Sequence, residues 1–191
     1  MNKFLKLPLF LAVVGGICTA VLATTYAITN PIVVQRVQKE QFAAYFGAFD
    51  LLEADGETPK TGAVAADEEL SADLIAVGYS KKVSISYNGE LLGFAYDGLV
   101  KGRNGDIKFQ VSFKDGNYNS FAVIGGHSEN PGFEGADLVD NLSTILPGKP
   151  ADTYTTAAAM HSDLLTGSTA QSVTYLLPAI VAAANDYMAS K

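Results

Sequence analysis

The chain has 191 residues, with 13 Lys or Arg against 20 Asp or Glu, a formal net charge of -7 and 48% hydrophobic residues. That length suits one domain, or one domain with an anchor, and the acidic balance excludes a nucleic-acid binder, which needs a basic stripe to neutralise phosphates. Cys18 is the only cysteine and His127 and His161 are the only histidines, so an internal disulfide, a Cys-held cluster and a His-rich metal site are excluded; no metal is expected, and redox chemistry would need a bound cofactor.

Residues 1–6 are a short basic start carrying Lys3 and Lys6, and the 22 residues from Leu7 to Ile28 then carry no charge. At about 1.5 Å per residue this run reaches roughly 33 Å, enough for a hydrocarbon core of about 30 Å, so residues 7–30 are predicted to form a single transmembrane helix. The competing reading is a cleaved signal peptide ending near Val21-Leu22-Ala23, and the length of the run favours the anchor. Lys3 and Lys6 balance Arg36 and Lys39, and the free terminal amine tips the orientation towards a cytoplasmic N-terminus, with the rest of the chain on the extracytoplasmic side. Gly15, Gly16, Thr19 and Ala20 are small enough to pack against another membrane helix, which favours an assembly over a lone anchor.

Residues 31–73 are read as an amphipathic helix followed by an acidic connector. Val34, Val37, Gln41, Phe42, Tyr45, Phe46, Phe49 and Leu52 recur at spacings of three and four, a helical stripe whose aromatics are expected to pack rather than to carry electrons. Glu53–Asp73, rich in Ala, Glu, Asp, Gly and Thr, reads as exposed connector. Residues 74–191 then form the main domain. Strands are predicted at Leu74–Ser80, Lys82–Tyr87, Leu91–Tyr96, Asp106–Phe113 and Tyr118–Gly126, with Asn88-Gly89 and Asp115-Gly116 as hairpin turns. The run Ala170–Met188 is helical in composition, with Val173, Leu176, Leu177, Ile180 and Val181 as its stripe and Pro178 as a kink. Strands followed by helices imply an α+β domain with a mainly antiparallel sheet and flanking helices.

Two polar segments stand apart from these elements. His127-Ser128-Glu129-Asn130-Pro131-Gly132-Phe133-Glu134-Gly135 follows a strand, and Asp163-Leu164-Leu165-Thr166-Gly167-Ser168-Thr169-Ala170-Gln171-Ser172 is read as a hydroxyl-rich turn before the last helix. Ser168 or Thr169 suits a helix cap; the same exposed N–H groups, together with Gly167, also suit a phosphate seat. Pro131-Gly132 is a turn that allows close approach of the backbone, Glu129 is by default an exposed carboxylate, His127 a satisfied loop or core histidine and His161 a surface residue.

Asp-x-x-Thr-Gly-Ser-Thr at 163–169 resembles the flavinylation motif Asp-x-x-Ser/Thr-Gly-Ala/Ser-Thr of the FMN-binding domains in the single-span flavin subunits of the Rnf and Nqr complexes. His127–Gly132 is similar to the His-x-Glu-Thr-Pro-Gly loop of those domains, and the order of basic start, membrane helix, acidic linker, sheet, loop, Thr motif and final helix covers nearly the whole chain. The resemblance implies FMN joined covalently through its phosphate to Thr169, with Thr166, Gly167, Ser168, Glu129, Pro131 and Gly132 around the cofactor and Asp163 recognised by a flavin transferase. It implies no catalytic residue in the chain itself. The function so implied is that of a membrane-anchored electron carrier, an oxidoreductase component relaying electrons within an Rnf-type ferredoxin:NAD oxidoreductase coupled to sodium or proton translocation; its partners are other membrane subunits, the transferase and the lipid bilayer, and no nucleic acid. The alternatives are the equivalent role in an Nqr complex, a free-standing anchored flavoprotein for extracellular electron transfer, and a non-redox ectodomain, against which Thr169 in its motif speaks. Asn130 stands where the family loop has Thr, Phe133-Glu134 replaces Leu-Gly and Gln171 replaces a common Thr, departures that leave the acceptor hydroxyl untouched.

Overall fold

The computed structural model describes residues 15–16, 19, 22–26, 42–102, 105–124, 141–164 and 171–190. The chain divides into two compact units, Met1–Ala43 and Ala44–Lys191. In the first, every described position between 15 and 26 is helical and exposed, and the Thr19 hydroxyl donates to the Gly15 carbonyl one turn earlier at 2.8 Å. Among the described residues no helix is long and apolar enough to cross a membrane; most of the predicted span 7–30 lies outside them.

The second unit is α+β, a five-stranded antiparallel sheet with flanking helices. Its strands are β1 (Ala63–Glu68), β2 (Tyr79–Tyr87), β3 (Glu90–Lys101), β4 (Asp106–Lys114) and β5 (Asn117–Val123), paired in sequence order as a meander. The helices are α1 (residues 42–48), α2 (Ala72–Ala76), α3 (residues 141–145), α4 (Ala157–Leu164) and α5 (Gln171–Ala189). Both predicted hairpin turns are present. Asn88 and Gly89 have φ of 52° and 85°, and Asp115 and Gly116 have the same pair of values, the two positive angles of a type I′ turn that matches the twist of the strands it joins.

Four expectations are corrected. Leu74–Ser80, predicted as a strand, begins instead within α2: Ser71 caps that helix by accepting from the Leu74 N–H at 3.3 Å, a local bond that outweighs the short apolar run. The acidic stretch 53–73 is no simple connector, because it contains β1, which pairs with β2 from Ala63↔Tyr87 to Glu68↔Lys82. The helix expected to run to Leu52 ends at residue 48. There Asp50 takes a φ of 58°, and the Leu51 and Asp50 N–H groups bond back to the Phe46 and Gly47 carbonyls at 2.8 and 3.2 Å, a Schellman closure that reverses the chain. Asp163 and Leu164, expected in a turn, are instead the last residues of α4; α5 starts at Gln171, within the expected helical run Ala170–Met188, and continues through Pro178.

Strand alternation gives the sheet two working faces. On one, Tyr96, Val100, Ile107, Phe109, Val111 and Phe113 join the buried side of α5 in a single core. Gly98 leaves room there for the Phe109 ring, which a Cβ would meet at 2.5 Å. On the other face Val83, Ile85 and Ala95 are fully buried, and Tyr45, Phe46 and Phe49 are buried as well. Tyr45 donates to the Asp97 carboxylate, which also accepts from Gln110 Nε2 at 3.0 Å. Asn119, the extra residue where β5 slips register against β4, donates to the Ala48 carbonyl at 2.5 Å. The aromatics of the 42–49 stripe are therefore packing residues, as their spacing predicts.

The last turns of α5 are held by charge. Lys82 Nζ lies 2.7 Å from Asp186 Oδ2 and 2.9 Å from Ser190 Oγ, and the Tyr96 hydroxyl donates to the same carboxylate at 2.9 Å. The ammonium also sits 4.8 Å from the Phe94 ring centroid, a cation–π contact. Burial, then the Asp186 charge, pushes the Tyr96 phenol far above its ordinary range, so it remains a donor. Because Lys82 is only 7% exposed, Lys82→Met leaves Asp186 facing a desolvated site without its cation. The expected loss is about 2–4 kcal/mol, read as a lower urea midpoint with an unchanged slope; a midpoint within error of the parent would contradict the assignment of this pair as a structural tie.

Candidate cofactor cleft at one end of the sheet

A cleft of about 380 Å³ opens where α2, the end of β3 and the first turns of α5 meet. Its geometry follows from local rules. The Leu99 N–H donates to the Gly78 carbonyl at 2.8 Å, drawing the end of α2 onto β3. Gly78 has a φ of 101°, and a Cβ there would strike the Leu99 carbonyl, so only glycine makes this approach without strain. On the helical side, Thr174, Tyr175 and Pro178 line the cleft. They fall at i, i+1 and i+4, on the side of α5 opposite the buried Leu176, Leu177 and Ile180.

The lining is mainly apolar, with Lys101 and Thr174 as polar members. Leu99 is 48% and Tyr175 46% exposed, beside a lining that is mostly aliphatic. Pro178 has no N–H and so cannot donate to the Thr174 carbonyl one turn earlier. The residues fit a flat aromatic heterocycle of the flavin class: apolar surfaces for the ring, few polar groups at its edge, and a volume inside the range of about 300–1,000 Å³ typical of small-molecule sites.

The 125–140 segment joins the described structure at this end of the sheet, as does the Gln171 end of the 163–172 segment; the other end of that segment, at Asp163, is bonded to Lys149, whose carbonyl accepts from the Tyr118 N–H at 2.8 Å beside the β4–β5 turn. The Ile124 N–H donates to the Lys108 carbonyl at 2.8 Å, and Lys108 is the register partner of Leu99, so the chain enters its 125–140 segment from the strand end next to the cleft. Gln171 opens the helix whose next turn lines the cleft. Glu129, Pro131, Gly132, His127, Thr166, Gly167, Ser168 and Thr169 themselves lie outside the described residues.

Asp163 is described, and it is engaged. Its Oδ2 accepts from the Tyr154 hydroxyl at 2.5 Å and from Lys149 Nζ at 3.1 Å, while Lys149 also donates to the Tyr154 oxygen at 2.6 Å and lies 5.1 Å from the Tyr154 ring centroid. The carboxylate is still open to solvent, with 55% of its side chain exposed. The network thus ties the end of α4 to the turn after α3 and leaves an anionic edge accessible. His161, on the same helix, is partly exposed. Among the described residues no cluster of metal-ligating side chains is found.

Sequence reasoning missed the cleft. Gly78 carried a signal, a glycine directly before a strand, but Leu99, Tyr175 and the apolar side of α2 come together only through the fold. No protein-family model matches the chain, and no curated protein matches it.

The Asp163 network has a measurable consequence. The Tyr154 hydroxyl, and then Lys149, hold the Asp163 carboxyl below its usual range. A carboxyl depressed on folding stabilises the native state above its unfolded value of about 3.9, and that contribution is lost as pH falls through the folded value. In a carboxyl-carbon NMR titration Asp163 should therefore titrate below an ordinary aspartate, and Tyr154→Phe should move it back up. An ordinary midpoint in the parent chain would refute the network.

Proposed function

We propose that the chain is a membrane-anchored electron carrier with FMN joined through its phosphate to Thr169, acting as one component of an Rnf-type ferredoxin:NAD oxidoreductase coupled to sodium or proton translocation. The observation that carries this reading is the placement of Asp163-x-x-Thr166-Gly167-Ser168-Thr169. The motif begins in the last turn of α4 and leads into α5, whose opening turns wall an apolar cleft of suitable size. The α+β sheet supports it as a rigid platform for a site otherwise carried on loops.

FMN, when bound, supplies one- and two-electron transfer to a chain that has no redox group of its own. The chain's own residues would do the rest. Thr169 offers the acceptor oxygen two residues before α5, where the remaining negative charge of the phosphodiester is favoured by the helix dipole by about 0.3–1 kcal/mol. The apolar walls at Leu99 and along α2 would exclude water from the ring, with Thr174 among the polar residues at its edge. The exposed face of Asp163, pre-oriented by Tyr154 and Lys149, suits recognition by a flavin transferase. The resemblance also sets Glu129, Pro131 and Gly132 around the cofactor.

Residues 7–30 would anchor the carrier, with the N-terminus in the cytoplasm and the FMN domain on the extracytoplasmic side. The helical backbone at each described position there supports this, as do Leu22 and Tyr26, 70% and 68% exposed. The partners are then the bilayer, the other membrane subunits and, during maturation, the transferase.

Two experiments test the reading. Co-expressed with a flavin transferase, the parent chain should fluoresce under ultraviolet light on a denaturing gel and carry one FMN, less water, on the Thr169 peptide. Thr169→Val should lose the flavin yet remain folded, since a lost cap is worth only about 0.5–2 kcal/mol, and Thr169→Ser should recover part of it. Flavin mapped to Ser168 or Thr166, or a colourless parent band, would count against the assignment. For the anchor, N-terminal sequencing of the membrane form should begin at or near Met1, and protease added to intact cells should digest the domain; a mature chain starting at Thr24 would mean a cleaved signal peptide.

A further inference from the structure

Tyr175 is a large aromatic left nearly half exposed on a helix whose neighbouring Leu176 and Leu177 are buried. It lines the cleft together with Thr174 and Pro178, and nothing in the core needs it, because the buried side of α5 is already complete with Leu176, Leu177, Ile180, Ala183 and Tyr187. Four other aromatics of the domain, Tyr79, Tyr96, Phe109 and Phe113, make ring contacts with one another, whereas Tyr175 has no aromatic partner among the described residues. An aromatic face beside an apolar cleft prefers an offset-stacked or edge-on aromatic neighbour. Tyr175 stands six residues beyond Thr169 and about one turn into α5, within reach of a cofactor tethered to Thr169.

We propose that Tyr175 is the positioning residue for the flavin ring, stacking against the isoalloxazine in the cleft and covering one of its faces from solvent. This rests on the FMN reading above, and it names the side chain that would hold the ring where the phosphate tether alone leaves it free to swing.

The test uses the full-length flavinylated chain in detergent. A phenol in contact with an excited flavin gives it one electron and takes it back, which quenches emission without net chemistry; phenylalanine stacks but is a far poorer electron donor. The parent should therefore be dim, and Tyr175→Phe should brighten severalfold with flavin content unchanged. Tyr175→Leu should also brighten and should in addition become severalfold more sensitive to quenching by iodide, because the face is uncovered. Tyr175→Trp, a stacking electron donor, should restore the dim state. Equal emission and equal iodide access in the parent, Phe and Leu forms would overturn the role of Tyr175 while the flavin on the denatured band leaves the FMN reading standing. A parent chain with no flavin on the denatured band would overturn both.

Discussion

The ion pair between Lys82 and Asp186 joins the second strand to the last helix across 104 residues of sequence, and the rest of the second unit depends on that closure. A meander can form strand by strand from its turns, but an antiparallel sheet with two apolar faces is not stable until both are covered. One face is covered by the residues from Tyr45 to Leu51, the other by α5. The polar pair adds direction to a surface that hydrophobic contact alone leaves free to slide: with Tyr96 and Ser190 on the same two charged groups, the C-terminal turns of α5 have one position on the sheet. The Tyr79 hydroxyl, donating to the Ala179 carbonyl at 2.9 Å, sets a second point nearer the N-terminal half. Two fixed points define an axis, and the axis decides where residues 174–178 stand against the end of β3.

Local chemistry was the most legible part of the sequence. Asn88-Gly89 and Asp115-Gly116 state their turns outright, because few residue pairs accept two successive positive φ angles, and the strands around them follow from alternation. The errors lie where a local signal was overlooked or a distant partner decides. Ser71 was a readable cap, but the apolar run from Leu74 to Val77 resembled a strand more than a five-residue helix. Ala63–Glu68 has poor strand composition, and only pairing with β2 makes it one. Residues 157–164 lack a strong apolar stripe, so α4 passed unread. Pairs such as Lys82–Asp186 and Tyr45–Asp97 have no sequence pattern at all, since long-range register is settled by packing.

The candidate site divides in the same way. The proposed attachment point, the motif ending at Thr169, is a pattern of consecutive residues and can be read directly. Its surroundings are assembled from α2, β3 and α5, three elements spread over about a hundred positions, and no spacing rule connects Gly78 with Tyr175. A tethered cofactor suits such a division, because attachment requires only a short recognisable segment while the seat can be built from whatever surfaces the fold brings together.

The late position of α5 in the chain also bears on the order in which the molecule can be made. Tyr79, Tyr96, Phe109 and Phe113 are in place as soon as the meander has been synthesised, yet the helix that shields them is not finished until residue 189. For some seventy residues of elongation an aromatic face remains open, the kind of surface on which incompletely folded chains associate. Secretion of an unfolded chain through a membrane before that face forms, or prompt capture by a chaperone, would relieve this exposure, and the Asp186 carboxylate, in the closing turns of α5, would act as the latch that ends it.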